Sequence, residues 1–284
     1  MADAADLGIF AGEALTRHGT LSRRTATWEE ATETHTRASD GSYIERDGVL
    51  KSADTNVPRV EWIDTDADGT RDTPTLLLEG ARTNDFTYSE QLDNAAWTKT
   101  RTSIGAIDTI TAPDGYLTAE KLIEDSSPST NHVLVRNTPA MTDDTDQAVS
   151  LYAKAGERTE IRVLLYDKAA VERHVWFDLS AGTVGTETSA TGTIEDVGDG
   201  WYRCGIVANS NNGGNQPEVY TYLGSGSETV VYSGDGASGC YLWGYQFETD
   251  KPFVSSYIST DSYNLNGGGF LDLPGASGDY ASAP

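Results

Sequence analysis

Cysteine is nearly absent from this chain: two residues in 284, Cys204 and Cys240. So few thiols exclude a disulfide-stapled scaffold. Both sit in strand-like runs, where cysteine acts as a small buried apolar residue, and a single bridge between them is the other reading. Basic residues are scarce too, with 20 Lys and Arg against 44 Asp and Glu, and only six lysines. The resulting formal charge of −24 argues against a nucleic-acid groove or a surface for anionic membranes. An acidic, lysine-poor surface fits either simple solubility or a saline medium. No apolar run approaches membrane-spanning length. The opening MADAADLGIF lacks the basic region and continuous apolar stretch of a secretion signal, so synthesis in the cytoplasm is expected.

Catalytic motifs are missing as well. His18, His35, His132 and His174 fall in no metal-ligand spacing, no G-x-S-x-G elbow occurs, and neither cysteine has the setting of an activated nucleophile. Carboxylate pairs are so abundant in this composition that none singles out a glycosidase. The expectation is a protein that is not an enzyme and requires no cofactor.

What the chain does contain is a repeated grammar of short β-prone runs and tight turns. Val149 to Ala153, Ile161 to Tyr166, Val175 to Leu179, Trp201 to Ala208, Val219 to Leu223 and Cys240 to Phe247 are separated by AKAGER, SAGTVG, VGDG, NNGGNQP and GDGASG. Those turns supply the positive-φ and Asx positions that strand connections need. With 37% hydrophobic residues the chain can bury a core, and the pattern predicts an all-β, antiparallel jelly-roll β-sandwich over residues 85–258. Ahead of it, residues 1–84 read as an arm and a hairpin-rich attachment region. Asp40-Gly41, Asp47-Gly48 and Ala67 to Gly69 serve there as turns, the last between Val60 to Ile63 and Leu76 to Leu78. Ser89 is placed to cap one short helix running through Ala96. Residues 259–284, rich in glycine, read as a linker or the start of a further domain.

The order YSEQLDNAAWTK, APDGYLTAEKL, SLYAKAGER, VWFDLSAGTVGT, IEDVGDGWYRC, YLWGYQFE and SSYI, between Tyr88 and Ile258, resembles a jelly-roll domain of tailed-bacteriophage virion proteins. That module is labelled a head-spike or head-fibre domain and is similar in architecture to carbohydrate-binding modules. Thr36 to Trp62 and Thr73 to Asn84 resemble the segment preceding it in phage fibre and tail proteins. The resemblance implies a structural protein on the virion surface, a head- or tail-attached spike, fibre or decoration subunit. Its partners would be other virion proteins, capsid or tail, and host surface glycan, and its assembly a homo-oligomer, by analogy a trimer. A carbohydrate-binding module of a secreted bacterial protein is the alternative.

Strand alternation sorts the side chains by face. Val149, Leu151, Ile161, Val163, Leu165, Val175, Phe177, Leu179, Val219 and Leu223 make the core, whereas Tyr152, Lys154, Arg162, Tyr166, Trp176, Asp178, Tyr220 and Tyr222 face away. Rings among hydroxyl and charged groups suit sugars, whose apolar C–H faces stack while their hydroxyls hydrogen-bond. Tyr152, Tyr166, Trp176, Tyr220 and Tyr222 are therefore the candidate glycan platform; the other reading is a sheet face covered by a loop or a neighbouring subunit. The cluster of Trp201, Tyr241, Trp243, Tyr245 and Phe247 reads as core. Asp64, Asp66, Asp68 and Asp72 in DTDADGTRD begin like a calcium loop, but Thr75 stands where a bidentate glutamate belongs. Weak Ca²⁺ binding and an acidic hairpin turn are the two readings.

Overall fold

The computed structural model describes residue 37 and residues 41–66, 69–105, 110–139, 141–142, 144–166, 172–210 and 217–260. Among these there are only strands and turns, and no helix long and apolar enough to cross a membrane. The expected N-terminal arm, all but the first two residues of the glycine-rich C-terminal segment, and Asp68 lie outside the described residues. The chain divides into two compact units, one ending at Arg82 and the other beginning at Thr83.

In the first unit, β1 (Gly41–Ile44) pairs antiparallel with β2 (Leu50–Ala53), and β3 (Val60–Ile63) with β4 (Thr73–Leu76). The Asp47-Gly48 turn forms as the sequence predicts. Gly48 takes the left-handed conformation that its lack of a Cβ permits, and the Asp47 carboxylate accepts from the Val49 amide at 3.0 Å. Buried Arg59 donates to the Ser42 carbonyl and pairs with Glu79 at 2.9 Å, so its charge is matched.

The second unit is an antiparallel β-sandwich. One six-stranded sheet has the order β12 (Thr183–Thr188), β11 (Glu172–Asp178), β10 (Glu160–Tyr166), β15 (Glu218–Gly224), β8 (Val133–Asn137), β5 (Thr98–Thr100). The other runs β13 (Thr191–Gly198), β14 (Trp201–Ser210), β9 (Thr145–Lys154), β16 (Gly239–Glu248), β7 (Glu120–Glu124), β6 (Thr102–Ile104). Successive strands pass repeatedly from one sheet to the other, as in a jelly roll. The six β-prone runs of the sequence are β9, β10, β11, β14, β15 and β16. All ten residues expected in the core belong to the single cluster between the sheets. Each large apolar side chain buried there contributes about 1.5–3 kcal/mol.

The β16 strand shows why its aromatics divide. Cys240 and Leu242 point into the core, as do Tyr245 and Phe247, so the inward positions change from even to odd. The register shift between Trp243 and Gln246 causes this, with Gly244 at φ 62°. A Cβ at Gly244 would stand 2.9 Å from the Tyr152 ring, and one extra residue in a strand exchanges its faces. Trp243 is consequently buried on the outer side of its sheet, and Tyr241 is half-buried there with the Lys121 ammonium 5.8 Å from its ring.

The expected helix from Ser89 to Ala96 does not form. Its amides have other partners: Leu92 and Asp93 both donate to the buried Glu120 carboxylate, at 2.6 and 3.1 Å, and i→i+3 bonds close turns at Asn94 and Trp97. The Ser89 hydroxyl is held by Tyr257 at 2.8 Å and accepts from the Thr260 amide, so it caps no helix.

Candidate functional site

The outer face of the β10–β15 sheet carries a second, smaller apolar layer. Alternation turns Arg162, Leu164 and Tyr166 outward from β10, Tyr220 and Tyr222 from β15, His174 and Trp176 from β11, and Val133 and Val135 from β8. Strand pairing lines these up in rows. Arg162 stands between Trp176 and Tyr222, Tyr222 meets Val133, and Leu164 stands between His174 and Tyr220. Val133, Val135, Leu164 and Tyr222 form the buried floor, against which Tyr166, Tyr220 and Val230 pack.

The rings are ordered by one another. Tyr220 and Tyr222 are stacked, with centroids 5.8 Å apart and planes 9° from parallel, and Tyr166 meets Tyr220 edge-on at 6.2 Å. The Arg162 guanidinium lies over the Tyr222 ring, 4.4 Å from its centroid, a cation–π contact that fixes both groups. Tyr220 donates its hydroxyl to the Glu218 carboxylate. Burial, reinforced by that acceptor, holds the Tyr220 phenol far above its ordinary value. Burial also raises the Tyr222 phenol, with the Arg162 charge opposing it. Burial and then Arg162 lower the His174 imidazole, against the opposite pull of Glu172 and Glu228.

The five rings expected to share one platform are distributed over two sheets. Tyr166, Trp176, Tyr220 and Tyr222 stand together, but Trp176 is only 5% exposed and Tyr222 only 9%. A loop after β15 covers Trp176: Glu160 accepts from the Ser227 and Glu228 amides, and Glu228 accepts from the Thr186 amide. A Cβ on Gly224 would lie 2.9 Å from the Trp176 ring and from the Glu160 Cβ, so only glycine leaves room for the Trp176 ring at the end of β15. Tyr166 and Tyr220 are half-buried and offer the accessible ring surface.

Tyr152 corrects the expectation. It projects from β9 on the other sheet, 1% exposed, among Trp243, Tyr257 and Arg203. A segment after β16 lies over it. The Ser255 amide and hydroxyl donate to Glu248, Gln246 donates to the Ser256 carbonyl, and Tyr257 meets Tyr152 at 5.9 Å. Alternation assigned Tyr152 to an outward face correctly; which sheet that face belonged to depends on strand order, which a period of two does not encode. His174 and Leu164 were missed as members of the face, although both share the outward parity of Trp176 and Arg162. Glu228 carries no sequence signal, because its position follows from the loop.

In the acidic turn, Asp64 accepts from the Gly69 amide at 2.8 Å and Asp72 from the Thr73 hydroxyl at 3.0 Å, while Asp66 is exposed. Among the described residues no group of three or more His, Cys, Asp or Glu is placed to hold a metal ion. Cys204 and Cys240 are both free thiols in the core. Strand β9 runs between theirs, which alone sets the strands roughly 10 Å apart at the usual spacing, and the two cysteines are further offset along it, beyond disulfide reach.

No protein-family model matches the sequence, and comparison with curated proteins gives no match. Among solved structures, the enzymatically active domain of Bacteriophage CBA120 tailspike protein 4 is similar over 58% of this chain at 12% identity and a TM-score of 0.37. The chain spans only 21% of that tailspike's length. TmCBM61, solved with beta-1,4-galactotriose, is similar over 58% of this chain and 97% of its own, at 11% identity and a TM-score of 0.36. TmCBM27, a carbohydrate-binding module that recognises mannan, is similar over 61% of this chain and 97% of its own, at 9% identity and a TM-score of 0.33. At such identities and scores these likenesses carry no argument about what this chain binds.

Proposed function

We propose that this protein is a non-catalytic display protein of a tailed-phage virion whose sandwich binds host surface glycan on the outer face of the β10–β15 sheet. The observation that carries the reading is the group of Tyr166, Tyr220, Tyr222 and Arg162, in which two half-exposed rings rest on a rigid apolar floor beside a cation. A pyranose has the matching chemistry, with C–H faces for the rings and hydroxyls for the phenols and guanidinium. Because the floor is packed before any ligand arrives, little ordering entropy opposes binding. The virion setting rests on the block order shared with phage head-spike and fibre proteins, and the first unit would supply the attachment.

The test is a glycan array probed with the full chain, followed by affinity measurements on Tyr166→Ala and Tyr220→Ala. Each variant is expected to bind about tenfold more weakly, equivalent to roughly 1.4 kcal/mol, with its melting temperature little changed. Absence of binding by the parent chain to every glycan would overturn the reading.

A further inference from the structure

We propose that the face selects glycans bearing an anionic oxygen group, a carboxylate or a sulfate, and that Arg162 is the residue that takes it. This rests on the glycan reading above and narrows its ligand class.

The basis is an arginine for which no carboxylate ion pair is seen among the described residues. Arg59 pairs with Glu79, Lys121 with Glu157, His132 with Asp125 and Arg158 with Glu124, and Arg162 is in none of these pairs. Three of the nearby carboxylates are engaged elsewhere, and the fourth, Glu172, is exposed. Glu160 takes the Ser227 and Glu228 amides, Glu228 the Thr186 amide, and Glu218 the Tyr220 hydroxyl. The Arg162 Nε is buried without a hydrogen-bond partner, and so is the Nδ1 of His174 on the neighbouring strand. A buried donor left unmade carries an uncompensated desolvation cost, recovered when a ligand supplies the acceptor or draws the side chain out to it.

The Tyr222 ring holds the guanidinium over it, and the planar fork of a guanidinium suits two-pronged contact with a carboxylate or sulfate. The half-exposed rings of Tyr166 and Tyr220 lie on the same face to receive the sugar that carries the anion. The surrounding field has the wrong sign: Glu172, Glu218 and Glu228 all stand near this face. Selection for the anion must therefore come from direct contact with Arg162. Long-range attraction would favour cations.

The experiment is calorimetric titration of the full chain with matched oligosaccharides: trigalacturonate against its methyl ester, and a sulfated agaro-oligosaccharide against its desulfated form. The anionic member of at least one pair is expected to bind at least about tenfold more tightly. Arg162→Met should remove that preference, so that whatever binding remains is equal for the charged and neutral members, and Arg162→Lys should restore only part of it. If Arg162→Met lowers the melting temperature, the Lys variant, which keeps the aliphatic packing and the charge, decides the question. Equal binding of charged and neutral members, unaltered by either substitution, overturns the role of Arg162 and leaves the glycan reading standing. Binding of no member of either pair, together with an empty glycan array, overturns both.

Discussion

Arg158 holds Glu124 by both of its oxygens, Nε to Oε2 at 2.7 Å and Nη2 to Oε1 at 2.5 Å, and the Glu124 side chain is entirely buried. The Tyr232 hydroxyl and the Asp235 amide complete the carboxylate at 2.7 and 2.9 Å, and the guanidinium lies 4.7 Å from the Tyr232 ring centroid. One buried acid thus ties the end of β7 to the turn before β10 and to the loop between β15 and β16. The same loop supplies Val230 to the outer layer and covers Trp176, so this pair sets one border of the candidate site.

Breaking the pair leaves an uncompensated buried charge. Arg158→Met is expected to cost about 3–5 kcal/mol, readable as a lower urea midpoint with an unchanged slope. Glu124→Gln, which keeps the shape and part of the hydrogen bonding, should cost less. A midpoint equal to the parent's in both variants would contradict the role given to this pair.

Acid should find the same region. Burial alone would raise the Glu124 carboxyl, but the bonds from Arg158, Tyr232 and the Asp235 amide outweigh it and hold the group below its ordinary value. Asp235 is held well down by the Ser238 hydroxyl and by the amides of Ser238 and Ala237. For groups whose folded pKa is depressed, the unfolded chain takes up protons first. Their stabilisation is therefore complete above the ordinary carboxylate range and lost as pH falls through it toward the folded values. Melting temperature should stay level from neutrality to about pH 5 and then drop, with Glu124→Gln showing a shallower drop. Equal acid limbs for both proteins would count against Glu124 as a contributor.

Trp176 and Tyr220 should behave oppositely, although both were expected on the sugar platform. Trp176→Ala removes a buried ring and should destabilise the fold by about 3–5 kcal/mol. Tyr220→Ala removes a half-exposed ring and should act mainly on glycan affinity. Guanidine titrations alongside binding curves separate the two, and the reverse assignment would show that the loop over Trp176 opens.

The core was legible in the sequence because its residues obey one local rule. Val163, Leu165, Val175 and Phe177 lie on one parity of their strands, and burial on that side follows from geometry alone. The site was only partly legible. Tyr220 and Tyr222 share a strand and therefore a face, but whether Tyr152 joins them depends on which sheet receives β9, a property of long-range pairing. At Gly244 a bulge reverses the parity, which is how Trp243 comes to be buried outside the sandwich core while Tyr245 lies within it. The helix expected after Ser89 failed because Glu120, distant in sequence, claims the amides such a helix would use.

The thiols should be silent in the folded protein. Burial pushes the Cys240 thiol up to about 12 and that of Cys204 still higher, and both side chains are wholly inside the core. A thiol reagent at pH 8 is expected to modify neither cysteine in buffer and both in denaturant. Rapid reaction of the native protein would contradict the placement of β14 and β16.

The measurement that bears most directly on the account is a map of backbone amide shifts during titration with a glycan selected from the array. The predicted result is saturable shifts concentrated in β10, β11 and β15, around Arg162, Tyr166, His174, Tyr220 and Tyr222, with the strands around Tyr152 and Trp243 unmoved. Saturable shifts centred on the sheet of Tyr152, or in the first unit with the β10–β15 face silent, would contradict it.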